Sequence, residues 1–336
     1  MKLRHFTIPV FIPMQACPFR CIFCDQEKIS GHINIPVAED VVQIIEKHLA
    51  TIPADNSIIE LGFFGGTFTG LPLHQQETYL NAANSYIETG KISGIRLSTR
   101  PDFIDDEILF FLKKHGVKTI ELGAQSMNDE VLKKSRRGHS VADTVAAAEK
   151  IVKNGFRLGL QMMIGLPGDT LEHSLFTAGK FVELQAKDVR IYPLVVIKGT
   201  PLEKLFKSGK YKPLALSEAV KITAEVYKIF ESAGVNIIRT GLHPSEGLLS
   251  GDDLVAGPFH VSFKELVLTE RWREIFSNIQ KPENSSQISI SVPAKELNYA
   301  IGYQASNKNV LLEKFQKVNF KIDETLKNRE YHVNFY

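Results

Sequence analysis

The strongest constraint on the fold is an alternation. Short apolar runs rich in β-branched residues are separated by longer stretches of helical periodicity, the pattern of repeated βα units around a parallel sheet. The runs predict strands at 6–12, 58–63, 95–98, 119–122, 158–163 and 189–194. The intervening helices carry start and stop signals: 37–50 follows Pro36, 73–89 ends before Gly90, 105–115 stops at Gly116, and 141–154 stops at Gly155. Six units are fewer than the eight that close a full barrel, so an open barrel or a doubly wound sheet is expected. After Gly234 the rhythm changes to a Gly-rich stretch over 241–257, then to mixed strand-like and helical pieces. This divides the chain into a catalytic domain, 1–235, and a small α+β extension, 236–336. Within the extension, 281–287 reads as a surface loop, and 288–292 and 318–322 read as half-exposed strands.

A hydrophobic fraction of 43% and a charged fraction of 23% are those of an ordinary globular protein and argue against disorder. The apolar stretch 6–14 is broken by Pro9 and Pro13 and is too short for a membrane span or a signal sequence. A cytoplasmic protein with no membrane partner is expected. The net charge of +2 gives no global footprint for nucleic acid, although a local basic patch stays open.

All 3 cysteines fall between positions 17 and 24. An odd number in a tight cluster excludes a disulfide framework and points to metal binding or redox chemistry. They form Cys17-Pro18-Phe19-Arg20-Cys21-Ile22-Phe23-Cys24, directly after the first strand, where α/β folds build active sites. Three thiolates so spaced can bind three irons of a cubane cluster and leave the fourth iron open to an outside chelator. Two other readings remain: a structural zinc site completed by His32 or His5, and a redox pair of Cys21 and Cys24. Zinc sites of this type usually pair their ligands in CxxC knuckles, and a redox CxxC normally opens a helix in a thioredoxin-like unit.

With Phe23 before its last cysteine, this segment resembles the signature of the radical S-adenosylmethionine (SAM) superfamily. The resemblance implies a partial (β/α)6 radical SAM barrel in which Cys17, Cys21 and Cys24 hold a [4Fe-4S] cluster. It further implies that S-adenosyl-L-methionine chelates the open iron through its amino and carboxylate groups. One electron, from a flavodoxin- or ferredoxin-type donor, then cleaves it to methionine and a 5′-deoxyadenosyl radical.

Later strand ends extend the resemblance. Phe64-Gly65-Gly66-Thr67-Phe68 resembles the superfamily's Gly-Gly-Glu motif, with Thr67 in place of Glu as in the Elongator catalytic-subunit family. The implied role is backbone contact with the SAM amino group. Ser98-Thr99-Arg100-Pro101-Asp102 is close to the Glu-Thr-Arg-Pro-Asp of that family. Ser98 stands where a ribose-binding Glu is expected and is too short for that bond, so a water, Gln125 or Gln161 takes over or the contact shifts. Without the resemblance, Arg100 reads as a turn residue paired with Asp102. The stretch from Glu121 through Gln125 to Leu132, followed by Arg136-Arg137-Gly138-His139, is similar both to the Elongator subunit and to oxygen-independent coproporphyrinogen oxidase. It implies that Gln125 contacts SAM and that Arg137 pairs with the methionine carboxylate, for which a guanidinium fork is suited. Taken alone, the two arginines read as a solvated helix end.

Gln161, followed by Gly165-Leu166-Pro167-Gly168, is similar to the turn beside adenine and ribose, and the backbone at Leu194 meets the adenine edge by analogy. Tyr192 reads equally as rim packing. Farther on, Arg239-Thr240-Gly241-Leu242-His243-Pro244 and Gly257-Pro258-Phe259-His260 resemble the region after the radical domain. His243 and His260 are candidate acids or bases, or turn-stabilising groups.

The Elongator subunit carries an acetyltransferase domain. Residues 285–336 are too few for one and lack its Gly-rich acetyl-CoA loop, so no acetyl transfer is expected. The reading is an Elongator-like radical SAM enzyme that abstracts hydrogen from an unknown substrate, with tRNA or a nucleotide-like molecule the candidate. Two alternatives are a coproporphyrinogen-oxidase-like tetrapyrrole enzyme or haem carrier, and a non-catalytic RNA-binding module that uses cluster and SAM.

Overall fold

The computed structural model describes residues 3–12, 17, 21–31, 34–53 and 55–336. Seven parallel strands form its main sheet: β1 (Arg4–Ile12), β2 (Ser57–Gly65), β3 (Gly94–Thr99), β4 (Val117–Gln125), β5 (Arg157–Ile164), β6 (Asp188–Pro193) and β7 (Asn236–Thr240). They lie in chain order, each hydrogen-bonded to the next. All six expected strands are present, so the parallel α/β architecture stands. The seventh strand is an addition. Asn236-Ile237-Ile238-Arg239-Thr240 is short and directly follows the break at Gly234, which made it read as the start of the extension.

Strand alternation explains how this sheet is built. Ile8, Leu61, Ile95, Ile120, Leu122 and Ile191 are fully buried on the face that the helices cover. The opposite face carries Glu60, Arg96, Glu121, Arg157, Asp188 and Arg190, the alternate positions of β2 to β6. That second face is concave. In a flat sheet β3 and β6 would lie ~14 Å apart, yet Arg96 reaches Asp188 at 3.3 Å. Register shifts beside Arg96, between Leu122 and Gln125, and beside Arg190 supply local curvature.

The chain divides into two compact units, one comprising the first 215 residues with 229–261, the other 216–228 with 262–336. Strand β7, immediately past residue 235, belongs to the first. The second has its own three-stranded sheet, in which β8 (Gln287–Val292) lies between β9 (Lys317–Ile322), parallel to it, and β10 (His332–Phe335), antiparallel. Its core includes Trp272, Phe276, Ile288, Ile290 and Phe315. The segment 288–292 is more buried than its alternation predicts: Ser289 is covered as well, because β8 is central rather than an edge. The expected helix at 73–89 is instead two, Leu73–Asn81 and Asn84–Glu88. Among the described residues no helix is long and apolar enough to cross a membrane.

Candidate active site

A cavity of about 1230 Å³ occupies the concave face, lined by residues from all seven strands. Its floor, toward the N-terminal halves of the strands, is a connected ion-pair network. Arg96 meets Glu60 at 3.0 Å, Glu121 at 2.8 Å and Asp188 at 3.3 Å. Arg190 donates to Glu121 at 2.5 Å, and Arg157 to Asp188 at 2.6 Å. Three guanidinium groups thus face three carboxylates, and the floor is electrically balanced. Burial pushes the Asp188 carboxyl up, but the bonds from Arg157 and Asn236 more than offset this and hold it below the usual range. The Arg190 guanidinium also lies over the Phe64 ring, 4.9 Å from its centroid.

The opposite end of the cavity, at the C-terminal ends of the strands, carries the cysteines. Cys17 Sγ lies 3.2 Å from Thr67 Oγ1. Cys21 is buried and accepts a hydrogen bond from Arg137 Nη1 at 3.2 Å. Burial, then the neighbouring Cys21 and Cys17, push the Cys24 thiol up to about 12. The Cys24 thiol therefore keeps its proton unless a cation takes up the negative charge of its thiolate. Among the described residues no group of three His, Cys, Asp or Glu converges as around a single metal ion. One of the two suggested fourth ligands of a zinc site, His32, lies outside the described residues, as do Pro18, Phe19 and Arg20.

The glycine pair follows from a close approach of backbone to backbone. Gly66 N–H donates to the Ile12 carbonyl at 2.8 Å, and a Cβ on Gly65 would lie 2.6 Å from that oxygen with φ at +110°, so no other residue fits. The Gln26 side-chain amide donates to the Gly65 carbonyl. Gln125 ends β4 at a φ of +66°, in the left-handed region, just past a register shift. This turns a long polar side chain toward the cavity with its Oε1 buried and without a partner. Arg137 closes the same wall: Nη2 donates to the Gly123 carbonyl at 2.5 Å, while Nε is buried and without a partner.

Of the residues singled out in the sequence, Cys17, Cys24, Phe23, Gly65, Gly66, Thr67, Ser98, Gln125, Arg137 and Gln161 line this one cavity. Arg100 lines it too and forms a bidentate pair with Asp102 at 2.9 and 2.8 Å, as its turn suggests. Gly165 and Leu194 are not in the lining. The Gly165 N–H is engaged by Asp169 at 2.9 Å and its carbonyl by the Tyr211 hydroxyl at 2.8 Å, while Leu194 packs in an apolar cluster with Cys21, Ile22 and Leu202. His243 is in the lining and His260 is not.

Two further residues carry no role in the sequence pattern. Gln26 follows the last cysteine with no distinguishing pattern. His139 is buried and contacts the Ala124 carbonyl through Nε2 at 3.2 Å. Burial, then Arg137 and Arg100, lower it to about 4, so the ring is neutral at neutral pH and Nε2 carries the proton it donates. The bond pins the residue before Gln125, and the only trace of it in the sequence is a histidine two residues after Arg137.

The profile of the radical SAM superfamily matches residues 11–177, and that of the radical SAM C-terminal domain matches 186–273. An uncharacterised protein of Methanocaldococcus jannaschii is 30% identical over 237 residues, which cover 67% of this chain and 71% of that one. The chain belongs to the radical SAM superfamily. Within this superfamily it is similar to the tRNA uridine(34) acetyltransferase of Methanocaldococcus infernus, 32% identical over 187 residues, 49% of this chain and 34% of that protein. It is also similar to human Elongator complex protein 3, 29% identical over 188 residues, 50% of this chain and 34% of the relative. The chain thus spans about a third of the length of both. The archaeal Methanocaldococcus infernus Elp3 with an N-terminal deletion superposes with a TM-score of 0.63 at 24% identity, covering 82% of this chain and 64% of that one. Streptococcus suis SuiB bound to S-adenosylmethionine gives 0.50 at 15% identity, covering 72% and 51%. At these identities the two structures share the radical SAM fold with this chain.

Proposed function

We propose that this radical SAM enzyme holds a [4Fe-4S] cluster on Cys17, Cys21 and Cys24 and binds SAM beside it, to abstract hydrogen from a substrate seated deeper in the cavity. The observation that carries this reading is the pair of buried polar atoms without partners, Gln125 Oε1 and Arg137 Nε, on the wall next to the cysteines. Buried polar groups are almost always satisfied, so two unpartnered atoms on residues that line one cavity fit a site completed by a polar ligand. The donor set fits as well. Arg137 spans the Cys21 sulfur and the Gly123 carbonyl, a place from which its fork can meet a carboxylate next to a cluster. The cradle at Gly65 and Gly66 brings backbone close to where an amino group would lie. Bound there, cluster and SAM together supply a 5′-deoxyadenosyl radical.

The protein's own residues orient and shield. Phe23 and Met163 cover the cysteine end with apolar surface, and Gln161 and Ser98 offer short polar contacts to hydroxyls. Ligand pockets usually hold ~300–1,000 Å³. A cavity of about 1230 Å³ therefore accommodates SAM and a second molecule of nucleoside size. The acetyltransferase relative acts on tRNA by its name, which makes tRNA or a nucleotide-like molecule the substrate we favour, with a flavodoxin- or ferredoxin-type protein as electron donor.

The test is anaerobic reconstitution with iron and sulfide, followed by dithionite and SAM. We expect about four irons and four sulfides per chain and release of 5′-deoxyadenosine, both lost in Cys17→Ser, Cys21→Ser and Cys24→Ser. Protein carrying one zinc and no sulfide after reconstitution would overturn the reading, as would a cluster-loaded protein that never cleaves SAM.

A further inference from the structure

We propose that His139 is a positioning residue for SAM: its bond to the Ala124 carbonyl holds the turn that aims Gln125 into the cavity, and this sets the affinity of the site. The proposal deepens the reading of the cavity as the active site and rests on it. His139 is buried and does not itself line the cavity, so its effect on a ligand passes through what it holds.

The turn is an unusual one. Ser126 N–H donates to the Ala124 carbonyl at 2.9 Å, and Gln125 between them has a φ of +66°. A three-residue turn of this hand is rare and strained, because the side chain of its central residue crowds the backbone. Such a conformation persists only where the surroundings hold it. It yields a glutamine that lines the cavity with its Oε1 buried and without a partner. The chain past the turn is tied separately, Met127 N–H donating to the Thr177 hydroxyl at 3.0 Å. Release of the turn therefore reorients Gln125 without unravelling the strand end.

The hold comes from one short segment. Between the helices Asp129–Lys134 and Val141–Lys153 the backbone is left-handed at Arg136, with φ +51°, and at Gly138, with φ +77°. The alternate residues Arg137 and His139 both reach the end of β4 and take consecutive carbonyls. Arg137 Nη2 donates to that of Gly123 at 2.5 Å, and His139 Nε2 to that of Ala124 at 3.2 Å. The Ala124 carbonyl thus accepts from within the turn and from His139. A Cβ on Gly123 would lie 3.0 Å from Gln125 Nε2 and 3.3 Å from Arg137 Nη2, so these two polar side chains close over one bare stretch of backbone. The Ser135 carbonyl of the same segment accepts the Ile22 N–H at 3.2 Å, which ties the cysteine loop to it. Arg137 bonds Cys21 and lines the cavity, whereas His139 bonds the turn, so substitution of His139 separates the turn from the rest.

The experiment compares wild type with His139→Gln, His139→Asn and His139→Leu. A glutamine amide nitrogen lies as far along its side chain as Nε2 and can keep the bond; the asparagine nitrogen stops at the place of Nδ1, and leucine has no donor. Two quantities are read on each full chain: deuterium exchange at the Ser126 amide by mass spectrometry without SAM, and the affinity of the reconstituted protein for SAM. His139→Leu and His139→Asn should speed exchange at Ser126 and weaken SAM by about tenfold at unchanged iron and sulfide content, with His139→Gln close to wild type. In a Gln125→Ala background the same substitutions should add less than about twofold, as expected of a residue that acts through Gln125. Should His139→Leu fail to fold, His139→Asn carries the reading. Unaltered SAM affinity or Ser126 exchange in His139→Asn would overturn the proposal, and so would equal weakening in His139→Gln or full additivity with Gln125→Ala. Loss of the cluster in both His139→Leu and His139→Asn would make His139 structural and overturn it as well. Failure of the wild type to bind SAM would sink the proposed function and with it the claim on affinity, while the exchange rates would still decide whether His139 holds the turn.

Discussion

His139 shows how much one buried ring can decide. Its imidazole is held at about 4 against an ordinary 6.5, by burial first and then by Arg137 and Arg100. Between those values the unfolded chain binds a proton that the folded chain does not, so stability rises with pH through this window and is lost as pH falls through it. The loss approaches about 3 kcal/mol at the acid end. His139→Gln should flatten this dependence in urea denaturation between pH 7 and 4; an unchanged pH profile would mean that other groups carry it. The three cysteines and the glycine pair were legible in the sequence because each motif is linear and its chemistry is local. Gln125 was legible as a residue of the cavity wall but not in its conformation. A left-handed backbone at a glutamine arises from the register shift against β5, which depends on a partner strand more than 30 positions away.

Among the elements, β2 to β6 carry a charged row on the face where a smaller sheet would be polar and wet. Glu121 is its hinge, accepting from Arg96 and from Arg190 while nearly fully buried. Glu121→Gln leaves Arg190 without its carboxylate and Arg96 with two of its three, which costs about 3–5 kcal/mol. The measurement is the urea midpoint of the apoprotein, and a shift too small to resolve would show that water enters the floor and replaces the carboxylate. The six expected strands were legible because their covered faces are almost purely apolar and rich in β-branched residues. The pairing of Arg96 with Asp188 was not, since 92 positions separate them and only curvature brings their strands together. β7 escaped notice for a related reason: five residues with one arginine carry too little alternation to outweigh a preceding glycine.

At the scale of the molecule, two units with separate cores replace a simple cut in the chain. The helix Leu216–Ser232 is shared between them, so no shift of composition along the sequence marks the division. The protein has 1 tryptophan, and Trp272 sits in the core of the second unit, donating its Nε1 hydrogen to Glu296 at 2.9 Å. Glu296 also meets Arg329 at 2.9 Å. Glu296→Ala should lower the denaturation midpoint followed by tryptophan emission, by about 1–3 kcal/mol, and an unmoved midpoint would show that Trp272 is held by packing alone.

The charged floor has a last consequence, for the order in which the chain can become a protein. During synthesis Glu60, Arg96 and Glu121 leave the ribosome before Arg157, Asp188 and Arg190 exist. Until β6 is made, Glu121 has one of its two arginines and Arg96 lacks one of its three carboxylates. A half-built sheet that closed over these groups would bury unmatched charge, so the charge balance of the floor favours closure only after the sixth strand is made.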